Sequence, residues 1–267
     1  MPKPKVTIHT SRYEDREHFV IETPRADYWL DKKSGGLSRL IDRDGNDWIG
    51  FKKEPWDKYP DSAAAAFRGL PNLLFGGSES GFGHPGWDRA TSEQVGARSI
   101  LSTSLSGKWR LRWTFGEANL ELDVATDDAK RRYWFLYEGP ILGRFAPDSQ
   151  YFATDSMSPT QSPHDYFAGD RVAGRFRWAY MGDITVPRVL AIVHRTADDQ
   201  IDTFAHLGNS KQGLASPDGM VVLGFGRGPK GIAPLLKGAQ SFRIGLLESA
   251  GRTDAEYQSI CRQIGDW

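Results

Sequence analysis

The run Tyr28–Phe51, "YWLDKKSGGLSRLIDRDGNDWIGF", decides how the rest of the chain is read. Short β-prone runs, "DYWLD", "LSRLID" and "DWIGF", are separated by "KKSGG" and "RDGN", turn segments rich in residues that tolerate positive φ. With "HFVIET" (His18–Thr23) just before them, they form a meander of antiparallel strands. The grammar continues through "RSILSTSLS", "WRLRWTF", "NLELDVA", "RYWFLYEG", "GRFRWAYM", "RVLAIVHR", "QIDTFAHLG", "GMVVLGFG" and "SFRIGLLES", with Gly, Asp and Pro between the runs. Only "TDAEYQSICRQIGDW" at the C-terminus has helical spacing, with Thr253 as N-cap and Glu256 completing a capping box.

A parallel sheet needs crossover helices, and the sequence has none between these runs. No internal period marks a propeller, and no mid-chain linker divides the chain, although "DSAAAAF" (61–67) is a brief low-complexity patch. The expectation is therefore all-β: one large antiparallel two-sheet sandwich over residues 1–267, closed by a short C-terminal helix.

Composition narrows the function. Lys+Arg and Asp+Glu balance at 34 each in 267 residues, so net charge argues for neither a nucleic-acid nor a membrane partner. Cys261 is the only cysteine, which excludes an intrachain disulfide and a Cys-rich metal site, and its helical company reads as a structural thiol. "MPKPKVTIHT" lacks the apolar core of a secretory signal and no run is long enough to span a bilayer. A soluble protein is expected, periplasmic or secreted if a signal has been removed, of undetermined oligomeric state.

The meander, the many following strands and the late "PDGMVVLGFGRG" resemble the galactose mutarotase-like β-supersandwich superfamily, which includes sugar epimerases and domains of polysaccharide lyases and glycoside hydrolases. The resemblance implies a carbohydrate held in a groove on the concave face of one sheet, and it leaves the reaction open.

The residues suit a sugar. The chain has 9 Trp, 9 Tyr and 14 Phe, and aromatic faces stack on the C–H faces of sugar rings. In "WRLRW", alternation puts Arg110 and Arg112 on one strand face, opposite Trp109, Leu111 and Trp113. In "RFRWAY" it puts Arg175 and Arg177 opposite Phe176, Trp178 and Tyr180. Two such pairs converging on one cleft would recognise a uronate carboxylate; otherwise they are the solvent side of half-buried strands.

The segment "NLLFGGSESGFGHPGWDRATSEQ" (72–94) has neither helical nor strand periodicity, and its glycines allow close approach to a ligand. It offers His84 as an acid/base group near neutral pH, with Trp87, Asp88 and Glu93 as sugar contacts. His194 and His206 end strand-like runs, and Arg227 sits in the glycine-rich "GFGRGPKG", which departs from a phosphate-loop pattern. No close histidine spacing predicts a zinc site; no cofactor is expected, with calcium on the oxygens of "APDSQYFATDS" (146–156) the one cation considered.

Three chemistries compete. β-Elimination from a uronate-containing polysaccharide is the favoured expectation, with His84, Tyr180 and Arg177 catalytic and Trp87, Asp88, Glu93, Arg112, Arg175, Trp178, His206 and Arg227 binding the oligo- or polysaccharide. Epimerisation at the anomeric carbon, by Glu93 and His84, is the alternative, and hydrolysis would need two carboxylates at a set separation. A noncatalytic carbohydrate-binding protein is the remaining class, distinguished by the absence of turnover.

Overall fold

The computed structural model describes residues 5–53, 64–196, 198–228 and 234–267. Residues 61–63 of the alanine patch, 229–231 of "GFGRGPKG" and the first four residues lie outside them. In chain order the strands begin with β1 (Thr7–Tyr13), β2 (Arg16–Glu22), β3 (Ala26–Asp31), β4 (Leu37–Asp42) and β5 (Gly69–Leu74). Next come β6 (Ala90–Gly96), β7 (Ser99–Ser104), β8 (Trp109–Phe115), β9 (Leu120–Thr126) and β10 (Arg132–Gly139). Then follow β11 (Gln150–Thr154), β12 (Met157–Thr160), β13 (Val172–Gly174), β14 (Trp178–Asp183) and β15 (Val189–His194). The chain closes with β16 (Asp202–Leu207), β17 (Met220–Phe225), β18 (Leu236–Lys237), β19 (Gln240–Leu247) and the helix α1 (Asp254–Gly265).

These strands make two antiparallel sheets. The ten-stranded sheet runs β1-β2-β3-β4-β5-β10-β17-β16-β13, with β18 on β10; the nine-stranded sheet runs β12-β11-β14-β15-β19-β9-β8-β7-β6. Strand alternation turns one face of each toward the other. Tyr133, Phe135 and Tyr137 of β10 and Val221, Leu223 and Phe225 of β17 meet Trp109, Leu111 and Trp113 of β8 and Phe242 and Ile244 of β19 in one buried core. Phe135 stacks on Phe242 and Phe152 on Phe204, each with ring centroids 3.8 Å apart. A fully buried side chain of this size contributes roughly 1.5–3 kcal/mol.

The helix is capped as the sequence predicts: Glu256 N–H donates to Thr253 Oγ1 and the Glu256 carboxylate accepts the Thr253 N–H. Its buried Ile260 and Ile264 cover Tyr151, Tyr180, Val189, Ala191 and Leu247 on the outer face of the nine-stranded sheet. No described helix is long and apolar enough to cross a membrane.

Two local expectations change. "DWIGF" is not a strand: Asp47 accepts N–H bonds from Leu40, Ile49 and Gly50, and this side-chain turn replaces a ladder. "RFRWAY" is not one strand either. β13 ends at Gly174 in the ten-stranded sheet and β14 begins at Trp178 in the other, so residues 175–177 cross between sheets. Phe176 consequently enters the inter-sheet core, while Trp178 and Tyr180 lie on the opposite face under α1.

The glycine-rich segment is bounded by strands, β5 ending at Leu74 and β6 starting at Ala90. Between them it is clamped to β5 by Leu73 N–H to Phe82 O (3.0 Å) and Gly81 N–H to Leu73 O (2.8 Å), and to the β3–β4 turn by Gly83 N–H to Ser34 O (3.0 Å). Gly36 lies so close that a Cβ there would stand 1.7 Å from the Gly83 carbonyl oxygen, whereas a Cβ on Gly76 meets nothing within 4 Å. Gly36→Ala is expected to lose about 2–3 kcal/mol in denaturant unfolding and Gly76→Ala less than about 0.5 kcal/mol.

Candidate active site

The strand alternation that commits Tyr133, Phe135 and Tyr137 to the core sends Trp134, Leu136 and Glu138 to the other face of the ten-stranded sheet. Met220 and Val222 of β17 and Leu207 of β16 share that face and form a small apolar floor with Phe67 and Tyr166 packed on it. A cavity of about 130 Å³ opens above them, lined by Phe67, Glu138, Tyr166, Leu207, Met220, Val222 and Arg227.

Arg227 reaches the cavity because β17 carries Gly224 beneath it: a Cβ there would stand 2.8 Å from both Arg227 Cβ and Leu136 Cδ2. Its guanidinium lies 5.1 Å from the ring centroids of both Trp134 and Tyr166 and donates to the Tyr166 hydroxyl at 2.8 Å. Tyr166 is positioned by its backbone, whose N–H donates to His206 O at 2.9 Å. A second cation, Arg171, lies 4.3 Å from the centroid of the Tyr166 ring.

Glu138 accepts a 2.6 Å hydrogen bond from Asn72 Nδ2 on β5. Burial raises its carboxyl from 4.5 to about 7, against the opposing pull of the Asn72 bond and the Arg227 charge. On the same face of the sheet, Asn72 Oδ1, Trp134 Nε1 and Arg227 Nε are buried without a hydrogen-bond partner. Each such atom costs about 1–3 kcal/mol, so this face is polar at the expense of stability. A carboxyl poised near neutrality in a cavity also lined by a guanidinium and a phenol can give and take protons.

The residues singled out from the sequence are distributed differently. His84 is fully enclosed behind the cavity wall, edge-on to Phe67 with its Nδ1 on Pro85 O at 2.7 Å, and burial pushes it down to about 4. It is thus neutral at pH 7, a correction to the expected neutral-range acid/base. Trp87 packs against His84, with ring centroids 5.2 Å apart, and over Gly81. Asp88 is exposed and paired with Arg16 at 2.8 Å, and Glu93 is exposed on the edge strand β6.

Arg112 projects to solvent from β8, so the arginine pairs do not meet in one cleft. Tyr180 is buried beneath α1, donates to Gly251 O at 2.7 Å, and has its phenol pushed far up by burial. Arg175, Arg177 and Trp178 line a different cavity beside α1. His206 sits where Nδ1 accepts the His164 N–H at 3.2 Å, its ring edge-on to Phe204, and burial lowers it to about 4. His194 stacks on Phe242 and bonds Gln240 at 2.7 Å. Arg227 is the one expected contact that lies in the Glu138 groove.

Glu138, Asn72, Trp134 and Tyr166 escaped the sequence reading. One signal was present: Glu138 is the only acid inside the apolar run "RYWFLYEG". Among the described residues no three His, Cys, Asp or Glu side chains are grouped to hold a metal ion.

Comparisons with known proteins add the fold. No family model matches the sequence, and no curated protein matches it. Solved structures do. A galactose mutarotase related enzyme from Lactobacillus acidophilus superposes with a TM-score of 0.57 at 10% identity, over 89% of this chain and 99% of its own. A galactose mutarotase-like protein from Lactobacillus casei gives 0.54 at 11% identity, over 86% and 100%. A Paenibacillus xanthan lyase gives 0.51 at 10% identity, over 96% of this chain but 26% of its own. The chain has the galactose mutarotase-like fold, an architecture shared with carbohydrate-related proteins.

The Glu138 carboxyl provides a stability test. Its folded value exceeds the unfolded one, so its contribution is complete below about pH 4.5 and is lost as pH rises through about 7. The ionised side chain then costs the folded state on the order of 3 kcal/mol. Glu138→Gln is expected to raise the melting temperature at pH 8 and to leave it nearly unchanged at pH 5, read by thermal denaturation at the two pH values.

Proposed function

We propose that this chain is a carbohydrate-active enzyme of the aldose 1-epimerase type, which binds one sugar ring in the Glu138 groove and moves protons at its anomeric centre. The observation that carries the reading is a buried carboxyl held near neutrality at a cavity shared with Arg227 and Tyr166. Ionised Glu138 takes the proton of the anomeric hydroxyl as the bond between C1 and the ring oxygen breaks. Tyr166 accepts its hydrogen bond from Arg227 and therefore has its own proton to give, which passes to the ring oxygen. The open-chain aldehyde turns about its C1–C2 bond and closes on the opposite face, and both protons return. Arg227 stabilises the transient phenolate.

The geometry favours this over elimination from a polymer. The expected elimination groups His84, Tyr180 and Arg177 lie in three separate surroundings. The groove is also compact, about 130 Å³, which suits one ring rather than a chain.

The test is the interconversion of anomers for a panel of aldoses, followed by polarimetry or exchange NMR. One aldose is expected to be accelerated, with kcat/KM rising with pH through about 7 as Glu138 ionises. Glu138→Gln should lower kcat/KM by roughly 10²–10⁴ and remove that limb while leaving sugar affinity largely intact. Sugar binding without acceleration of any aldose would make the protein a noncatalytic binder.

A further inference from the structure

A second cavity, of about 410 Å³, lies on the outer face of the nine-stranded sheet beside the end of α1. That volume falls within the roughly 300–1,000 Å³ typical of small-molecule pockets. Its lining includes Arg175, Arg177, Arg195, Arg243, Trp178 and Trp267, with Asp198 as the acid among them. The lining brings together four guanidinium groups and one carboxylate, a local concentration of arginine that the balanced net charge conceals.

The fold builds this concentration. Where the chain crosses between sheets, Phe176 is drawn into the core and its N–H is fixed by Asp202 at 2.7 Å; the Arg177 N–H is fixed by Asp155 at 3.1 Å. The backbone between them is thereby held with the side chains of Arg175 and Arg177 outside. On the sheet, Trp178 is the partner of Val193 and Val193 is the partner of Arg243. Trp178 and Arg243 therefore flank one residue across three adjacent strands, roughly 10 Å apart along the hydrogen-bonding direction.

Two of the arginines are engaged: Arg195 with Glu121, and Arg175 with Asp199 at 3.8 Å. Among the described residues Arg177 and Arg243 have no ion-pair partner within 4.0 Å. Guanidinium forks outside any close ion pair, with Asp155 near Arg177 and Glu121 across the ladder from Arg243 as the neighbouring acids, stand beside an indole and match a ligand carrying an oxyanion on a ring with C–H faces.

We propose that this cavity binds an acidic saccharide, its oxyanion held by Arg177 and Arg243 and its ring laid on Trp178. The site is separate from the Glu138 groove and does not depend on the reaction assigned there. A uronate carboxylate and a sugar phosphate share the required chemistry.

Isothermal titration of the full chain tests this with four probes: tri-galacturonate, glucose 6-phosphate, a neutral trisaccharide and inorganic phosphate. At least one acidic saccharide is expected to bind ten-fold or more tightly than the neutral sugar and than inorganic phosphate, and more weakly as salt is raised. Preference between the first two names the source of the oxyanion. Arg177→Gln with Arg243→Gln, at two positions outside the core, should cost at least ten-fold in that affinity, and Glu138→Gln should not. Unchanged affinity in the double variant would overturn the assignment, as would failure of both acidic saccharides to bind, or inorganic phosphate binding equally well.

Discussion

The structure turns on the placement of β10 between β5 and β17 with its aromatic face inward. Phe135 stacked on Phe242 of the opposing sheet fixes which side of β10 is core. A strand has period two, so this one packing choice also fixes where Trp134, Leu136 and Glu138 go. A slip of one residue would exchange the two sets, exposing Tyr133, Phe135 and Tyr137 and burying Glu138 between the sheets. The polar face of the ten-stranded sheet is therefore specified by the hydrophobic side of the same strand.

That polar face is a liability in stability terms. A carboxyl held near neutrality, an unpartnered amide oxygen, an indole N–H and a guanidinium Nε sit together where an apolar surface would be more favourable. Local rules are broken on this face, and the large inter-sheet core offsets the cost. His84 belongs to the supporting structure: its neutral ring backs Phe67, which forms part of the cavity wall. The glycines around it serve the close approach of the loop to the β3–β4 turn, as the contact between Gly36 and Gly83 demonstrates.

Local grammar was legible in the sequence. The β3–β4 hairpin and the Thr253–Glu256 capping box depend on neighbouring residues, and both formed as expected. The groove was not legible, because Asn72, Glu138, Tyr166 and Arg227 come from four distant segments, and the Glu138 proton affinity is set by what covers it. The four arginines lie exposed as alternation predicts, but Trp178 and Tyr180 do not share the face of Phe176, for a definite reason. Alternation holds only along a continuous strand, and residues 175–177 pass from one sheet to the other.

The central claim is that the Glu138 groove holds the sugar whose protons are moved. The most direct measurement is a crystal structure of the Glu138→Gln protein soaked with the best-accelerated aldose. The account predicts one sugar ring in the groove, with its anomeric hydroxyl within hydrogen-bond distance of the residue 138 side chain and its ring oxygen facing Tyr166. A groove left empty while the sugar is bound at another place on the molecule would contradict it.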